Sequence, residues 1–149
     1  MLTFQQERMH DAYREIERLV PEHWSYVTTN EWPADVDWEA MLRLEDIGIL
    51  RLMVARNAGE LVGYAVFLLA PALHYKGKLF AHDDAFFLSA PHRKGGNGFK
   101  LFKAAETMLR EAGVDRIVCH EKFTKVDLST FFKHLGYRVS ERNWFKDLT

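Results

Sequence analysis

The sequence has little cysteine, little net charge and no long apolar run, and each shortage excludes a class of protein. Cys119 is the single cysteine, so an internal disulfide is excluded and no cysteine-rich metal cluster is present. Lysine and arginine number 20 against 21 acidic residues, and the resulting formal charge of -1 argues against nucleic acid or a membrane surface as partner. No apolar run approaches the ~20 residues of a membrane span, and Met1 to His10 lacks a signal-peptide core. We therefore expect a cytoplasmic protein.

What the chain does contain is typical of one globular domain. Apolar residues make up 48% and charged residues 28% of its 149 positions, which is enough to build a single core with a charged surface. We find no repeat, low-complexity tract or linker. The prediction is a single domain over residues 1–149.

Hydrophobic spacing predicts the order α-α-β-β-β-α-β-α-β. Thr3 and Gln6 fit a capping box for a first helix that ends at Pro21, and Asp37 is the expected N-cap of a second helix that ends before Gly48. Strands are predicted over residues 50–56, 61–69, 79–89, 115–120 and 137–148, with one helix between the third and fourth strands and another between the fourth and fifth. This order predicts an α/β fold with a mixed central sheet, antiparallel first and parallel at its crossover, and helices on both faces.

The most specific stretch is the glycine-rich turn between an apolar strand and an amphipathic helix. Gly95, Gly96 and Gly98 allow close approach to the backbone, and the helix that follows directs unpaired N–H groups and a positive dipole end at the turn. Such a combination forms a phosphate cradle. The spacing does not fit the P-loop or the dinucleotide-binding glycine motif. The alternative is an ordinary loop between a strand and a helix.

Three stretches resemble a known family. Arg93, Gly96 and Gly98 fit the motif R/Q-x-x-G-x-G/A. This motif resembles the acetyl-CoA pyrophosphate loop of the GNAT N-acetyltransferases. Residues 131–137 (FFKHLGY) are similar to that family's F-Y-x-K-x-G-F/Y signature, and residues 57–64 (NAGELVGY) to its G-x-L/I-V-G hairpin. The three stand in the family's order, and the resemblance covers most of the chain. His74-Tyr75 also looks like small members from bacteriophages and prophages.

The resemblance implies the GNAT fold and acetyl-CoA (coenzyme A) as the cofactor. The N–H groups of residues 94–99 would bind its pyrophosphate, with positive charge nearby from Arg93 and Lys94. The backbone of Leu88 would pair with the pantetheine arm, and an N–H there would polarise the acetyl carbonyl. The implied cofactor-binding residues are Phe87, Leu88, Arg93, Lys94, Gly95, Gly96, Asn97, Gly98 and Phe99.

Acyl transfer to an amine needs a base, and an unusual charged run offers one. His82-Asp83-Asp84 interrupts an apolar strand, where burial of charge is costly. Strand alternation predicts that His82, Asp84, Phe86 and Leu88 share one face. Because Asp84 stands where many members of the resembled family carry a carboxylate, we predict Asp84 as the base, with His82 as the second candidate. The alternative is a polar lining or a structural salt bridge.

The leaving thiolate needs a proton, and here the sequence departs from the family. Phe132 stands in place of the usual Tyr and cannot donate a proton, and Lys125 stands in place of an Asn. Tyr137, Ser129 and His120 are the candidate donors, with protonation by water as the alternative. Tyr137 is also compatible with a core aromatic role.

Aromatic residues in two regions predict the acceptor site. Trp24, Tyr26 and Trp32 lie among acidic residues before the second helix and would suit a cationic amine, while His74 and Tyr75 would border the site. The alternative is a solvated, aromatic-packed loop. The predicted function is acetyl transfer from acetyl-CoA to a primary amine of a small molecule or protein by direct attack.

Two alternative functions remain open at this stage. One is a CoA-binding module with weak or lost catalysis, which Phe132 favours. The other is a relative that modifies a nucleic-acid base, against which the balanced charge argues. No metal site is predicted, and exposed terminal strands are compatible with a homodimer.

Overall fold

A computed structural model describes residues 1–27, 32–121 and 126–149. Its elements are β1 (Leu2–Glu7), α1 (Met9–Tyr26), α2 (Trp38–Asp46), β2 (Leu50–Asn57), β3 (Glu60–Pro71), β4 (Leu79–Leu88), a 3₁₀ turn (Ala90–His92), α3 (Asn97–Glu111), β5 (Arg116–Val118) and α4 (Ser129–His134). The strands lie in the order β1-β2-β3-β4-β5. The pairs from β1 to β4 are antiparallel and the β4–β5 pair is parallel, which confirms the predicted mixed sheet.

Two apolar layers cover the faces of the sheet. On one face α3 and α4 pack against the sheet, with Leu101, Phe102 and Leu135 among the buried side chains. On the other face α1 and α2 pack against it, with Met9 and Ile16 in that core. β3 contributes alternate residues to both layers, so this nearly all-apolar strand is covered on both sides.

The beginning of the chain differs from the prediction. Leu2–Glu7 form β1, paired with β2 from Leu2–Asn57 to Glu7–Leu52, so the capping box at Thr3 and Gln6 is wrong. Leu2 and Phe4 alternate with more exposed residues, and that short period-2 pattern was outweighed by the cap pattern.

Pro21 does not end the first helix, which continues to Tyr26. A proline in a helix removes one backbone hydrogen bond. The rings of His23 and Tyr26 pack against Phe87 of β4, and these contacts hold the last turn of α1 in place beyond the proline.

The end of the chain also differs. Residues 137–149 form no strand, so the predicted last strand is wrong, and the sheet of the described residues ends at β5. Trp144, Phe145 and Leu148 are at least 80% exposed there. Among the described residues, this segment therefore has no partner strand despite its strand pattern.

Other boundaries are confirmed. Asp37 Oδ1 accepts a hydrogen bond from Ala40 N at 2.9 Å, and Gly48 follows the end of α2 with a φ of +82°. Residues 57–60 form the β2–β3 hairpin. No helix of the described residues is long and apolar enough to cross a membrane.

Candidate active site

The glycine turn has the geometry of an anion cradle. Gly95 and Gly96 adopt left-handed conformations with φ of +64° and +71°, which favour glycine. A Cβ added to either residue would meet no atom within 4 Å, so the turn faces open space. α3 begins at Asn97, and the N–H groups of Gly98 and Phe99 lie in its first turn, where no intrahelical acceptor exists. The residues present therefore fit a pyrophosphate.

The carboxylate of Glu22, on α1, holds the start of this turn through hydrogen bonds. Glu22 accepts hydrogen bonds from Ser89 Oγ, at 2.9 and 3.1 Å to its two oxygens, and from Ala90 N at 3.0 Å. Glu22 is one of the acidic residues among which the predicted acceptor residues Trp24 and Tyr26 stand in the sequence. It joins the last turns of α1 to the chain that leaves β4, and so it positions the glycine turn.

Arg93 lies against the α1 side of β4. Its Nε donates to Leu88 O at 2.6 Å, and its guanidinium carbon stands 4.2 Å from the Tyr26 ring centroid and 5.4 Å from that of Phe87. Phe87 itself is buried and stacks on His23 at 4.8 Å. Tyr26, predicted for the acceptor, thus contacts Phe87 and Arg93, which were predicted for the cofactor, at the end of β4. The exposed Lys94 is the next cation of the turn.

A gap opens between β4 and β5. β5 pairs with β4 only from Phe80 to His82, opposite Arg116 to Val118. Ser89 N donates to Val62 O, so Leu88, one residue earlier, directs its N–H and C=O away from β3 and toward the gap. From Asp83 to Leu88 the gap is roughly 17 Å long, at about 3.3 Å per residue. An extended chain can enter this gap and pair with the backbone of Leu88.

A β-bulge in β4 changes the predicted faces. The register passes from Val66–Ala85 to Phe67–Asp83, so Asp84 is the extra residue and is exposed. The alternation slips by one residue there.

Because of this slip, the prediction that His82, Asp84, Phe86 and Leu88 share a face is wrong. Phe86 and Leu88 pack in the layer under α3. His82 is opposite Leu68, which belongs to the layer under α1 and α2.

The closed end of the gap holds an aspartate–histidine pair. Asp83 accepts hydrogen bonds from His120 N at 3.0 and 3.1 Å and from His120 Nδ1 at 2.7 Å. The two side chains are 14% and 40% exposed. The charged run and His120 are recognisable from the sequence, but no local pattern there indicates a role for Asp83. The unforeseen bulge was the missing information.

A row of rings leads to this pair. Tyr75, Phe80, His82 and His120 follow one another with centroid distances of 6.3, 6.4 and 6.5 Å. The predicted residues Tyr75 and His82 therefore lie in one row, with the Phe80 ring between them.

The other predicted acceptor residues lie elsewhere. Tyr26 contacts Phe87 near the far end of β4, about seven residues or roughly 23 Å from Phe80. Trp24 is on the same last turns of α1, while Trp32 and His74 are exposed. Tyr75 and Tyr26, both predicted for the acceptor, thus lie at opposite ends of β4.

The remaining candidate donors differ in burial. The Tyr137 ring packs against Phe102 and Phe132 at 5.7 and 5.6 Å, and burial raises its pKa, so its hydroxyl holds its proton. Burial also raises the pKa of the half-buried Cys119 thiol. Ser129 N donates to Asp127 Oδ1 at the start of α4. Lys125 lies outside the described residues.

Comparison with known proteins identifies the family. The model of the acetyltransferase (GNAT) family matches residues 8–137. The chain belongs to the GNAT family. It is accordingly an N-acetyltransferase, which confirms the enzyme class and the fold expected from the glycine turn. No curated protein matches the chain by sequence.

Solved structures share the fold of this GNAT protein at low sequence identity. Ribosomal-protein-alanine N-acetyltransferase from Brucella melitensis biovar Abortus 2308 superposes with a TM-score of 0.77 at 16% identity, covering 99% of both chains. An aminoglycoside acetyltransferase from an uncultured soil metagenomic sample, in complex with sisomicin, gives 0.76 at 17%, over 99% and 97%. Glucosamine-6-phosphate N-acetyltransferase from Arabidopsis thaliana gives 0.75 at 10%, over 100% and 99%. The fold is common to proteins named for very different amines.

Proposed function

We propose that this GNAT protein transfers an acetyl group from acetyl-CoA to a primary amine by direct attack in a ternary complex. The observation that carries the proposal is the continuity of two features. The open, left-handed turn at Gly95 and Gly96 leads into the N-terminus of α3, and the gap between β4 and β5 begins beside it at Leu88. A phosphate cradle next to a slot for an extended arm suits CoA.

The roles of the chain's residues follow from this arrangement. The N–H groups of residues 94–99 and the Lys94 ammonium bind the pyrophosphate. The N–H of Asn97 already donates to Lys94 O at 3.3 Å, so the N–H groups of Gly98 and Phe99 are the stronger donors to a ligand. Leu88 binds the pantetheine arm through its backbone N–H and C=O, which face the gap. Arg93 holds the carbonyl of Leu88 at 2.6 Å and thereby fixes the direction of that peptide.

Asp84 accepts the proton of the attacking amine in this proposal, and His82 is the second candidate. His82 is the last of the three β4 residues that pair with β5, and Asp84 lies two residues further on, at the closed end of the gap. The bulge exposes Asp84 to solvent, so a carboxylate is kept there without the cost of burial. Loss of the amine proton makes its lone pair available to attack the carbonyl carbon.

The acceptor is a cationic amine of a small molecule or protein. The exposed Tyr75 and the row that continues through Phe80 offer ring faces to a cation near His82, and Trp24 and Tyr26 do so at the other end of β4. The three similar structures are named for a protein alanine, an aminoglycoside and an amino-sugar phosphate. The net charge of -1 makes nucleic acid a poor acceptor.

The decisive experiment is calorimetric titration of Gly96→Glu with acetyl-CoA. A glutamate there adds negative charge at the cradle and about 1–2 kcal/mol of left-handed strain. Gly77→Glu is the matched control, because Gly77 has a φ of +84°, faces open space and lies in the β3–β4 turn. We expect Gly96→Glu to abolish binding and Gly77→Glu to leave affinity unchanged. Equal affinities in both variants would refute the assignment of the turn.

Turnover is then followed as free thiol released with sisomicin, glucosamine 6-phosphate and a peptide with an N-terminal alanine. Release with one of them supports the proposal.

One observation favours a second function, a CoA-binding module without catalysis. Phe132 packs against Phe102 and Tyr137 and has no proton to donate. Tight binding of acetyl-CoA without release across the panel would support that second function.

We also propose that the protein is a homodimer, that it is cytoplasmic, and that it belongs to the phage-type members of the family. In this dimer, segment 137–149 of one copy, with its exposed Trp144 and Phe145, pairs with the open edge of β5 of the other copy. The phage-type assignment rests on His74-Tyr75 and the cytoplasmic one on the single Cys119. Analytical ultracentrifugation should give a dimer that Trp144→Asp dissociates; a monomeric wild type would contradict the dimer.

A further inference from the structure

Phe132 leaves the reaction without the family's proton donor, and the closed end of the gap contains a histidine in a fixed position. Asp83 bridges the two strands just past their last paired residues, His82 and Val118, where β4 and β5 separate. Leu88 lies at the other end of the gap, beside the glycine turn. An arm that enters beside Leu88 therefore ends near Asp83 and His120.

The hydrogen bonds fix both the orientation and the protonation of the histidine ring. His120 donates its backbone N–H to Asp83, and its ring Nδ1 lies 2.7 Å from the same carboxylate. A carboxylate can only accept, so Nδ1 carries a hydrogen and Nε2 is the nitrogen that exchanges protons with a substrate. A purely structural use of Asp83 needs only the backbone N–H; the second bond, to a ring that is 40% exposed, fits a role in proton transfer.

We propose that His120 protonates the sulfur of CoA as it leaves, and that Asp83 positions His120 for this step. The inference rests on the proposed function. The amine nitrogen bonds to the acetyl carbon, and its extra proton goes to the base. The carbon–sulfur bond breaks with its electron pair passing to sulfur, and the protonated His120 donates the Nε2 hydrogen there. Solvent returns a proton to His120, so the step balances as amine plus thioester giving amide plus thiol.

Several other ionisable groups lie near the pair. His82 of β4 stacks on His120 with a centroid distance of 6.5 Å, and Glu121 follows His120 in sequence. The half-buried Cys119 and Tyr137 interact electrostatically with Asp83 and with Glu106 of α3. Burial raises the pKa of both Cys119 and Tyr137, so each keeps its proton.

The test measures the pKa of the thiol of bound CoA, from the ultraviolet absorbance of its thiolate with desulfo-CoA as the blank. A protonated imidazole beside the sulfur stabilises the thiolate. We expect the thiol pKa to be lower in the wild type than in His120→Gln, with a smaller rise in Asp83→Asn. His10→Gln is the matched control, because His10 Nε2 also lies 2.9 Å from an aspartate, Asp46, but on the other side of the molecule.

Turnover gives the second readout. With an amine from the panel that is acetylated, His120→Gln should lose about 100-fold or more in rate, as expected for a general acid, while calorimetric affinity for CoA stays unchanged. The same thiol pKa in the wild type, His120→Gln and Asp83→Asn would overturn the proposal, whether or not any amine is acetylated. Failure of the wild type to bind CoA would instead overturn the proposed function. If His120→Gln does not fold, Asp83→Asn decides.

Discussion

The first three strands and the last two strands of the sheet use similar polar residues in different ways. β1 pairs with β2 along its whole length, and β2 pairs with β3 likewise, whereas β4 and β5 pair only from Phe80 to His82. The fully paired part, β1 to β3 with α1 and α2, is called the closed half below. The part around β4, β5 and the glycine turn is called the open half.

In the closed half, charged side chains are satisfied by other parts of the chain. Arg56 of β2 donates to Glu7 of β1 at 2.6 and 2.8 Å and to Glu15 of α1 at 2.9 and 3.0 Å. Glu45 of α2 accepts from the N–H groups of Met9 and His10, the first residues of α1. Each contact joins different elements, so these charges stabilise the fold.

In the open half, the charged residues lie where pairing stops. Asp83 holds His120 across the gap, His82 stacks beside it, and Asp84 is exposed at the bulge. The comparison teaches that a sheet needs one incompletely paired edge to expose backbone donors and proton carriers to a substrate. We therefore expect changes in the open half to alter turnover and changes in the closed half to alter stability.

The largest expected effect is that of Asp84→Asn on turnover. Asparagine keeps the shape of the side chain but cannot accept the amine proton, so the rate with an acetylated amine should fall by about 100-fold or more. Its melting temperature should stay near that of the wild type. Asp46→Asn, an exposed aspartate of the closed half, is the control. Wild-type turnover in Asp84→Asn would remove Asp84 as the base.

Arg56→Met should have the reverse profile. Methionine preserves much of the volume but leaves Glu7 and Glu15 close together without a cation, at a cost of about 2 kcal/mol in the free energy of unfolding. The matched control is Arg43→Met, because the Arg43–Glu39 pair is exposed and should contribute less than about 1 kcal/mol. Chemical denaturation measures both. A stability loss no greater than that of Arg43→Met would break the comparison between the two halves.

The same network should give stability a defined pH dependence. Hydrogen bonds from Arg56 hold the pKa values of Glu7 and Glu15 below the ordinary 4.5. A carboxyl whose pKa is lower in the folded state stabilises the fold above its unfolded pKa, and this contribution is lost as the pH falls. We expect the wild type to lose stability below about pH 4.5 more steeply than Arg56→Met does. Parallel unfolding curves for the two proteins from pH 6 to 3 would contradict this.

Sequence reasoning predicted the fold well where local signals and packing agree. Asp37, Gly48 and the glycine turn are recognised from residue type alone, because caps and left-handed turns have strict local requirements. It failed where distant contacts decide. Pro21 remains helical because β4 holds the turn that follows it, and residues 137–148 stay unpaired although their pattern favours a strand.

The candidate site was predicted in part for the same reason. The glycine turn lies within one continuous stretch of sequence. The faces of β4 depend on a bulge that inserts Asp84, and a bulge is set by the register with β3 rather than by the residues of β4. The pairing of Asp83 with His120 joins residues far apart in the chain, so periodicity could not reveal it.

The smallest effect concerns the cap that α2 gives to α1. Arg8, the N-cap residue of α1, makes no side-chain cap, and Glu45 serves in its place. Glu45→Gln keeps an oxygen acceptor but removes the negative charge at the positive end of the helix, so it should cost about 1 kcal/mol. For a chain of this size that lowers the melting temperature by about 2–4 °C.

Glu39→Gln is the matched control for this cap, because Glu39 lies on the same helix, is 85% exposed and contacts only the neighbouring turn. Turnover should be unchanged in both variants, since neither residue borders the gap. A melting temperature of Glu45→Gln equal to that of Glu39→Gln would show that α1 needs no cap from α2. The closed half would then owe its stability to Arg56 and the apolar layers alone.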